Sequence, residues 1–136
     1  MRNRTEPGHV LLIMLMGACI ATCQDAAGPE AEAVFEVKVV DETFRIGVND
    51  PVQIDSFAAR LASGAEGNLN GVLKPGNGGV NTPWSWHLDP ETVQVADLTM
   101  EVCDGRPSMV EDDLDYWLES VERYCPWGAR VTARIR

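Results

Sequence analysis

The chain has 136 residues, a single domain's worth on the usual prior of about 100–200 residues per domain, so a multidomain machine is excluded. Lys plus Arg number 11 against 21 Asp plus Glu, a net charge of −10, which denies the chain the basic surface a phosphate-tracking nucleic-acid binder needs. Hydrophobic residues at 45% and charged residues at 24% place it with folding globular domains rather than with acidic disordered tails.

Residues 1–23 read as an export signal. Arg2 and Arg4 form a positive start, and Val10–Met16 is an apolar core shorter than the roughly 20 residues that span a bilayer. Two cysteines follow, in Met16-Gly-Ala-Cys19 and Ile20-Ala-Thr-Cys23, and both stretches resemble the lipobox of bacterial lipoproteins, whose Cys is lipidated. Parity favours Cys23, because its modification discards Cys19 and leaves Cys103 and Cys125 free to pair in an oxidising compartment. The expectation is an extracytoplasmic protein, either tied to a membrane through an N-terminal lipid or secreted after cleavage near residues 21–27. Residues 24–33 contain no large apolar side chain and read as a flexible tether. A single domain is expected over 34–136.

From Val34 the apolar period is two: Phe35, Val37 and Val39 alternate with Glu36 and Lys38. After a turn at Asp41-Glu42, Phe44, Ile46 and Val48 repeat the pattern, which predicts a hairpin. Asp50-Pro51 supplies an N-cap and a helix start, Ile54, Phe57, Ala58 and Leu61 form one apolar stripe, and Gly64 is placed to end the helix. A short strand is expected near 69–73, then a Gly-rich loop, Lys74-Pro-Gly-Asn-Gly-Gly-Val-Asn-Thr-Pro83. Gly76–Gly79 lacks a following Lys-Ser/Thr and a helix start, so a turn fits better than a phosphate loop. Trp84, Trp86 and Leu88 share one face of the next strand, and a phase change near Val95–Ala96 predicts a bulge or turn in a further strand running to Val102. Ser108 with Glu111 reads as a capping box, opening a second helix with the stripe Val110, Leu114, Trp117, Leu118, Val121. The chain closes on a strand with Ala129, Val131, Ala133 and Ile135 inward and Arg130, Thr132, Arg134 and Arg136 outward. The order β-β-α-β-β-β-α-β predicts an α+β fold, a mainly antiparallel sheet with two helices on one face.

Several residues could carry chemistry. Cys103 and Cys125 flank the second helix, and a disulfide between them is preferred to a redox pair or zinc site, since no Cys-x-x-Cys or His pair accompanies them. No cofactor or metal is expected. His87, near Asp89 and with Asp104 within possible reach, could serve as a general base, but a structural histidine at a strand end is the preferred reading. The acidic run Glu111-Asp112-Asp113-Leu-Asp115 has no calcium-loop spacing and reads as a solvated helix face, partly turned toward Arg130, Arg134 and Arg136. Trp117, Trp84 and Trp86 are assigned to the core. Trp127, at a chain reversal after Cys125-Pro126, is the indole expected at the surface. Loops on a rigid scaffold carry function more often than cores do, so Asn77, Asn81, Trp84, His87 and Trp127 are the candidate ligand-binding residues.

The string Asn81-Thr-Pro-Trp-Ser-Trp-His-Leu-Asp-Pro90, with Glu101-Val-Cys-Asp-Gly105 and Tyr124-Cys-Pro-Trp127, resembles a family of small domains related to a cyclic-AMP-inducible slime-mould protein. The resemblance implies an exported or lectin-linked setting and no catalytic residues; some members carry a calmodulin-binding label. Calmodulin targets are basic amphipathic helices, whereas the second helix here is acidic, so calmodulin is not an expected partner. The function expected is that of an exported, non-enzymatic binding module for a glycan, peptide or protein. The alternatives are an inhibitor of an extracellular hydrolase and, below it, a small hydrolase using His87 with Asp89 or Asp104.

Overall fold

A computed structural model describes residues 30–136; the export signal, Cys19, Cys23 and the tether as far as residue 29 lie outside the described residues. Strands β1 (Ala33–Val39) and β2 (Glu42–Val48) form the expected hairpin, with Phe35 opposite Ile46 and Val37 opposite Phe44. All four of those side chains are buried, as the period of two requires. Pairing of Val39 with Glu42 makes Val40-Asp41 the turn, one residue ahead of the position read from the sequence. Val40 takes φ 57°, a left-handed conformation that a β-branched residue adopts only under strain of about 1–3 kcal/mol. The fold also begins before residue 34: Ala31 and Ala33 are buried, and Arg136 donates to the Ala31 carbonyl at 2.7 Å and pairs with Glu30.

Helix α1 (Pro51–Ser63) has the boundaries its sequence dictates. The Asp50 carboxylate accepts from the Val52 and Gln53 amides, and Gly64 closes the helix in the left-handed conformation at φ 67°. Phe57 is fully buried against Phe35, ring centroids 5.7 Å apart.

Strand β3 (Glu66–Pro75), longer than the segment expected, is the hub of the sheet. One edge pairs with β6 (Arg123–Tyr124) and β7 (Ala129–Arg134), the other with β4 (Trp86–Leu88) and β5 (Gln94–Ala96), all antiparallel. The main path runs β2-β1-β7-β3-β4. Its two end strands, β2 and β4, approach each other without a backbone rung between them. The strand expected to reach Val102 stops at Ala96, and Leu98, Met100 and Val102 are exposed beyond it. Two-residue β6 has no pattern of its own and was not expected.

The second helix is not continuous. Helix α2 (Pro107–Asp112) breaks at Asp113, φ −137°, and the chain resumes in a single turn at Leu114–Tyr116 and a π-turn at Trp117–Val121. The apolar stripe survives the break: Val110 and Trp117 are buried, and Leu114, Leu118 and Val121 pack against the core. The capping box expected at Ser108 does not form: the helix starts at Pro107 with Arg106 as its N-cap, which puts Ser108 inside the first turn, and both partners bond elsewhere. Ser108 donates its amide and hydroxyl to the Glu42 carboxylate, at 2.8 and 2.7 Å, and Glu111 accepts from the Ser85 amide at 2.9 Å. These bonds fasten the helix to β2 and to the chain entering β4. Phe44, Trp86, Trp117 and Tyr124 meet on this side of the sheet, Tyr124 making edge contacts with the other three at 5.2–6.0 Å.

The terminal strand departs from simple alternation. Val37 pairs with Val131 but Glu36 with Ala133, so Thr132 is an extra residue in β7, a bulge that reverses its phase. Arg134 therefore falls opposite Phe35, its guanidinium 5.5 Å from the ring centroid, and Ile135 is 48% exposed instead of inward. The strand's arginines do not face the acidic helix: Arg130 pairs with Glu66, Arg136 with Glu30, and Arg134 donates to the Arg136 carbonyl.

Candidate functional site

The Gly-rich loop of residues 74–84 is braced from within. Asn77 accepts from the Gly79 amide and donates to the Thr82 hydroxyl, at 2.9 and 3.2 Å. His87, half-buried on β4, bonds through Nδ1 to the Gly76 carbonyl at 2.7 Å. Gly78 takes φ 59° and lies so close to that imidazole that a Cβ there would stand 2.5 Å from the ring. Among the described residues no hydrogen bond joins His87 to Asp89 or Asp104; Asp89 accepts from the Glu91 amide, and Asp104 from the Gly105 and Trp127 amides. The histidine holds the loop.

Asn81 and Trp84 also hold structure. Asn81 is the one buried polar side chain among the described residues; its Oδ1 accepts from the Arg45 amide of β2 at 2.7 Å and its Nδ2 donates to the Trp86 carbonyl of β4 at 2.8 Å. A single amide thus bridges the two end strands. Trp84, half-buried, donates Nε1 to the Thr43 carbonyl at 2.9 Å. Arg45 N–H and Thr43 C=O lie on the outer edge of β2, where unpaired groups would invite another strand, and these two side chains occupy it. Asn81 cannot reach a ligand from a buried position, and the indole of Trp84 is partly committed.

Trp127 is placed differently. The disulfide Cys103–Cys125 is formed, and Cys125 also donates its amide to the Cys103 carbonyl at 2.8 Å. Two residues on, the Trp127 amide donates to Asp104 Oδ1, also at 2.8 Å. Tyr124, just before, donates its hydroxyl to the Gly105 carbonyl, and burial, reinforced by the Asp104 and Glu42 carboxylates, pushes its pKa well above the ordinary phenol value. The turn is therefore fixed at Tyr124, Cys125 and Trp127, yet the Trp127 side chain remains 45% exposed.

The indole borders an open groove of about 650 Å³ on the outer face of the sheet, lined also by Lys38, Val40, Glu66, Arg130 and Thr132. The strained Val40 at the hairpin tip is 67% exposed beside it. Lys38, Arg130 and Glu66 stand in one cross-strand row on β1, β7 and β3, each in register with the next. Arg130 and Glu66 form an ion pair at 2.7 Å. Lys38, directly opposite Arg130, has no ion-pair partner among the described residues. Like charges opposed across two strands are destabilising, and here one of the two is uncompensated.

Of the candidate residues, only Trp127 belongs to this groove. Lys38, Val40, Glu66, Arg130 and Thr132 were missed, since nothing in the chain order announces that β1, β7 and β3 are neighbours. The outward phase of Lys38 and Arg130 was legible, but not their juxtaposition.

The profile of the BP-74 N-terminal domain matches residues 31–136. The chain belongs to that family. The match starts at the first buried residue, Ala31, and runs through β7, so the family's domain and the described fold coincide. Membership is consistent with the slime-mould-related family that the sequence resembles. No curated protein and no solved structure matches the chain. Among the described residues of this family member, no helix is long and apolar enough to cross a membrane.

Proposed function

We propose that this chain is an exported, non-enzymatic binding module and that its ligand contact is the groove at Trp127 rather than the Gly-rich loop. The observation that carries the reading is the half-exposed indole on a turn whose backbone is fixed by the disulfide and by Asp104. An aromatic side chain held in place before the ligand arrives loses little entropy on binding, which is how rigid aromatic anchors give affinity. The strain at Val40 and the opposed charges of Lys38 and Arg130 sit at the same groove, and locally unfavourable features of that kind collect at binding sites. The membrane reaches this module only through an N-terminal lipid on Cys23, and intact-mass measurement of the exported protein reads that modification directly.

The test is retention of the full chain on immobilised extracellular polysaccharide and on immobilised secreted proteins, with Trp127→Ala and His87→Ala run beside it. Retention lost in Trp127→Ala and kept in His87→Ala is the expected result. Retention that depends on His87 and ignores Trp127 returns the site to the loop and sinks this reading.

A further inference from the structure

We infer that the groove takes an acidic saccharide, a sugar unit bearing a carboxylate, stacked on Trp127 with its carboxylate against Lys38. The inference rests on the reading of that groove as the binding site and adds the class of ligand.

The floor disfavours a peptide added to the sheet as a further strand. Lys38 is paired with Thr43 of β2 and Arg130 of β7, and Arg130 in turn with Glu66 of β3, so at Lys38 and Arg130 the floor offers an incoming strand no free edge. Strand addition to a sheet needs free backbone rungs at an edge. The walls point the same way. Protein–protein contacts are depleted of Lys and Glu, whereas Lys38 and Glu66 both line this groove beside a single indole. A saccharide matches that composition: a ring has one face of C–H groups to lay on an indole and a rim of hydroxyls for charged and polar side chains. A volume of about 650 Å³ lies within the roughly 300–1,000 Å³ usual for small-ligand sites.

Charge selects the carboxylate. Glu66 neutralises Arg130, and Lys38 is left as a surplus cation on a chain whose net charge is −10. An anion placed beside Lys38 relieves its opposition to Arg130 on the neighbouring strand. Arg60, Arg123 and Arg134 also lack an ion-pair partner among the described residues, but Lys38 is the unpaired cation that lines the groove beside the Trp127 indole. Thr132, whose hydroxyl bonds to the Glu36 carboxylate at 3.1 Å, keeps that neighbouring acid occupied.

The experiment titrates trigalacturonate and neutral cellotriose into the full chain, read by calorimetry and by tryptophan emission. Trigalacturonate is expected to bind, about tenfold more weakly in Trp127→Ala and about three- to tenfold more weakly in Lys38→Gln, with affinity falling as salt rises. Cellotriose is expected to bind more weakly and to ignore Lys38→Gln. Trp127→Phe, which keeps an aromatic ring, should retain most of the affinity and guards against a folding artefact. Equal binding of the two sugars, or trigalacturonate binding unchanged in Lys38→Gln, overturns the acidic selection. If neither sugar binds while Trp127-dependent retention persists on the protein matrix, the saccharide inference fails and the binding groove stands. If Trp127→Ala changes nothing in either assay, both fall.

Discussion

Replacing Asn81 by alanine tests how the sheet is held at its ends. The side chain is 0% exposed and makes two hydrogen bonds, to the Arg45 amide on β2 and the Trp86 carbonyl on β4. Truncation strands a donor and an acceptor together, each left unsatisfied at about 1–3 kcal/mol, so with partial relaxation the variant should lose about 2–4 kcal/mol. Asn81→Asp should lose more: it keeps the acceptor for Arg45 but sets a carboxylate oxygen against the Trp86 carbonyl. Equilibrium urea unfolding followed by tryptophan fluorescence measures both, and a slope of about 2 kcal/mol per molar turns the expected loss into a midpoint lower by about 1–2 M. Opening the outer edge of β2 should also make Asn81→Ala aggregate with rising concentration. A midpoint for Asn81→Ala within experimental error of wild type would refute the bridging role.

Replacing Cys103 and Cys125 together by serine removes a 22-residue closure and should destabilise by about 3 kcal/mol on the loop-entropy account, and calorimetry in the presence and absence of reductant on wild type checks it. Stability should fall as pH rises above the ordinary phenol value of about 10, because the unfolded Tyr124 then loses a proton that the folded one keeps; the slope approaches about 1.4 kcal/mol per pH unit. Tyr124→Phe removes that part of the alkaline slope, and a slope identical to wild type would show that the phenol is not held protonated. Val40→Gly should raise stability by up to about 1 kcal/mol by releasing the left-handed strain, and weaken trigalacturonate by shortening the groove wall, a split that thermal unfolding and titration measure separately.

Local chemistry was legible where residues a few positions apart settle the structure by themselves. The β1–β2 hairpin and α1, with Asp50 and Gly64 as its caps, follow from periodicity and capping alone. The sequence misled where a distant partner outcompeted a local one. Ser108 and Glu111 have capping-box spacing, but Glu42 and Ser85 take them, partners far away in the chain that local spacing does not reveal. Asn81 has the composition of a ligand-binding loop residue and is consumed instead by two backbone groups on the end strands. The β7 bulge at Thr132 is invisible in an alternation that remains regular through Ile135. Trp127 at the surface was readable from the turn around it; the groove beside it needed the strand order.

Pairing of β1 with β7 has a further effect on how the domain can be handled. Residues 30 and 136 meet at one end of this pair, where Arg136 grips Glu30 and the Val34 amide donates to the Arg136 carbonyl. Lys38, Val40 and Arg130 line the groove at the other end, a strand's length of about 20 Å away. Attachment at residue 30 or residue 136, whether to a neighbouring domain or a sensor surface, therefore sits at the opposite end of the strand pair from the groove proposed for binding. Coupling through lysine amines would instead modify Lys38 itself, so immobilised assays of this protein should be oriented by their ends.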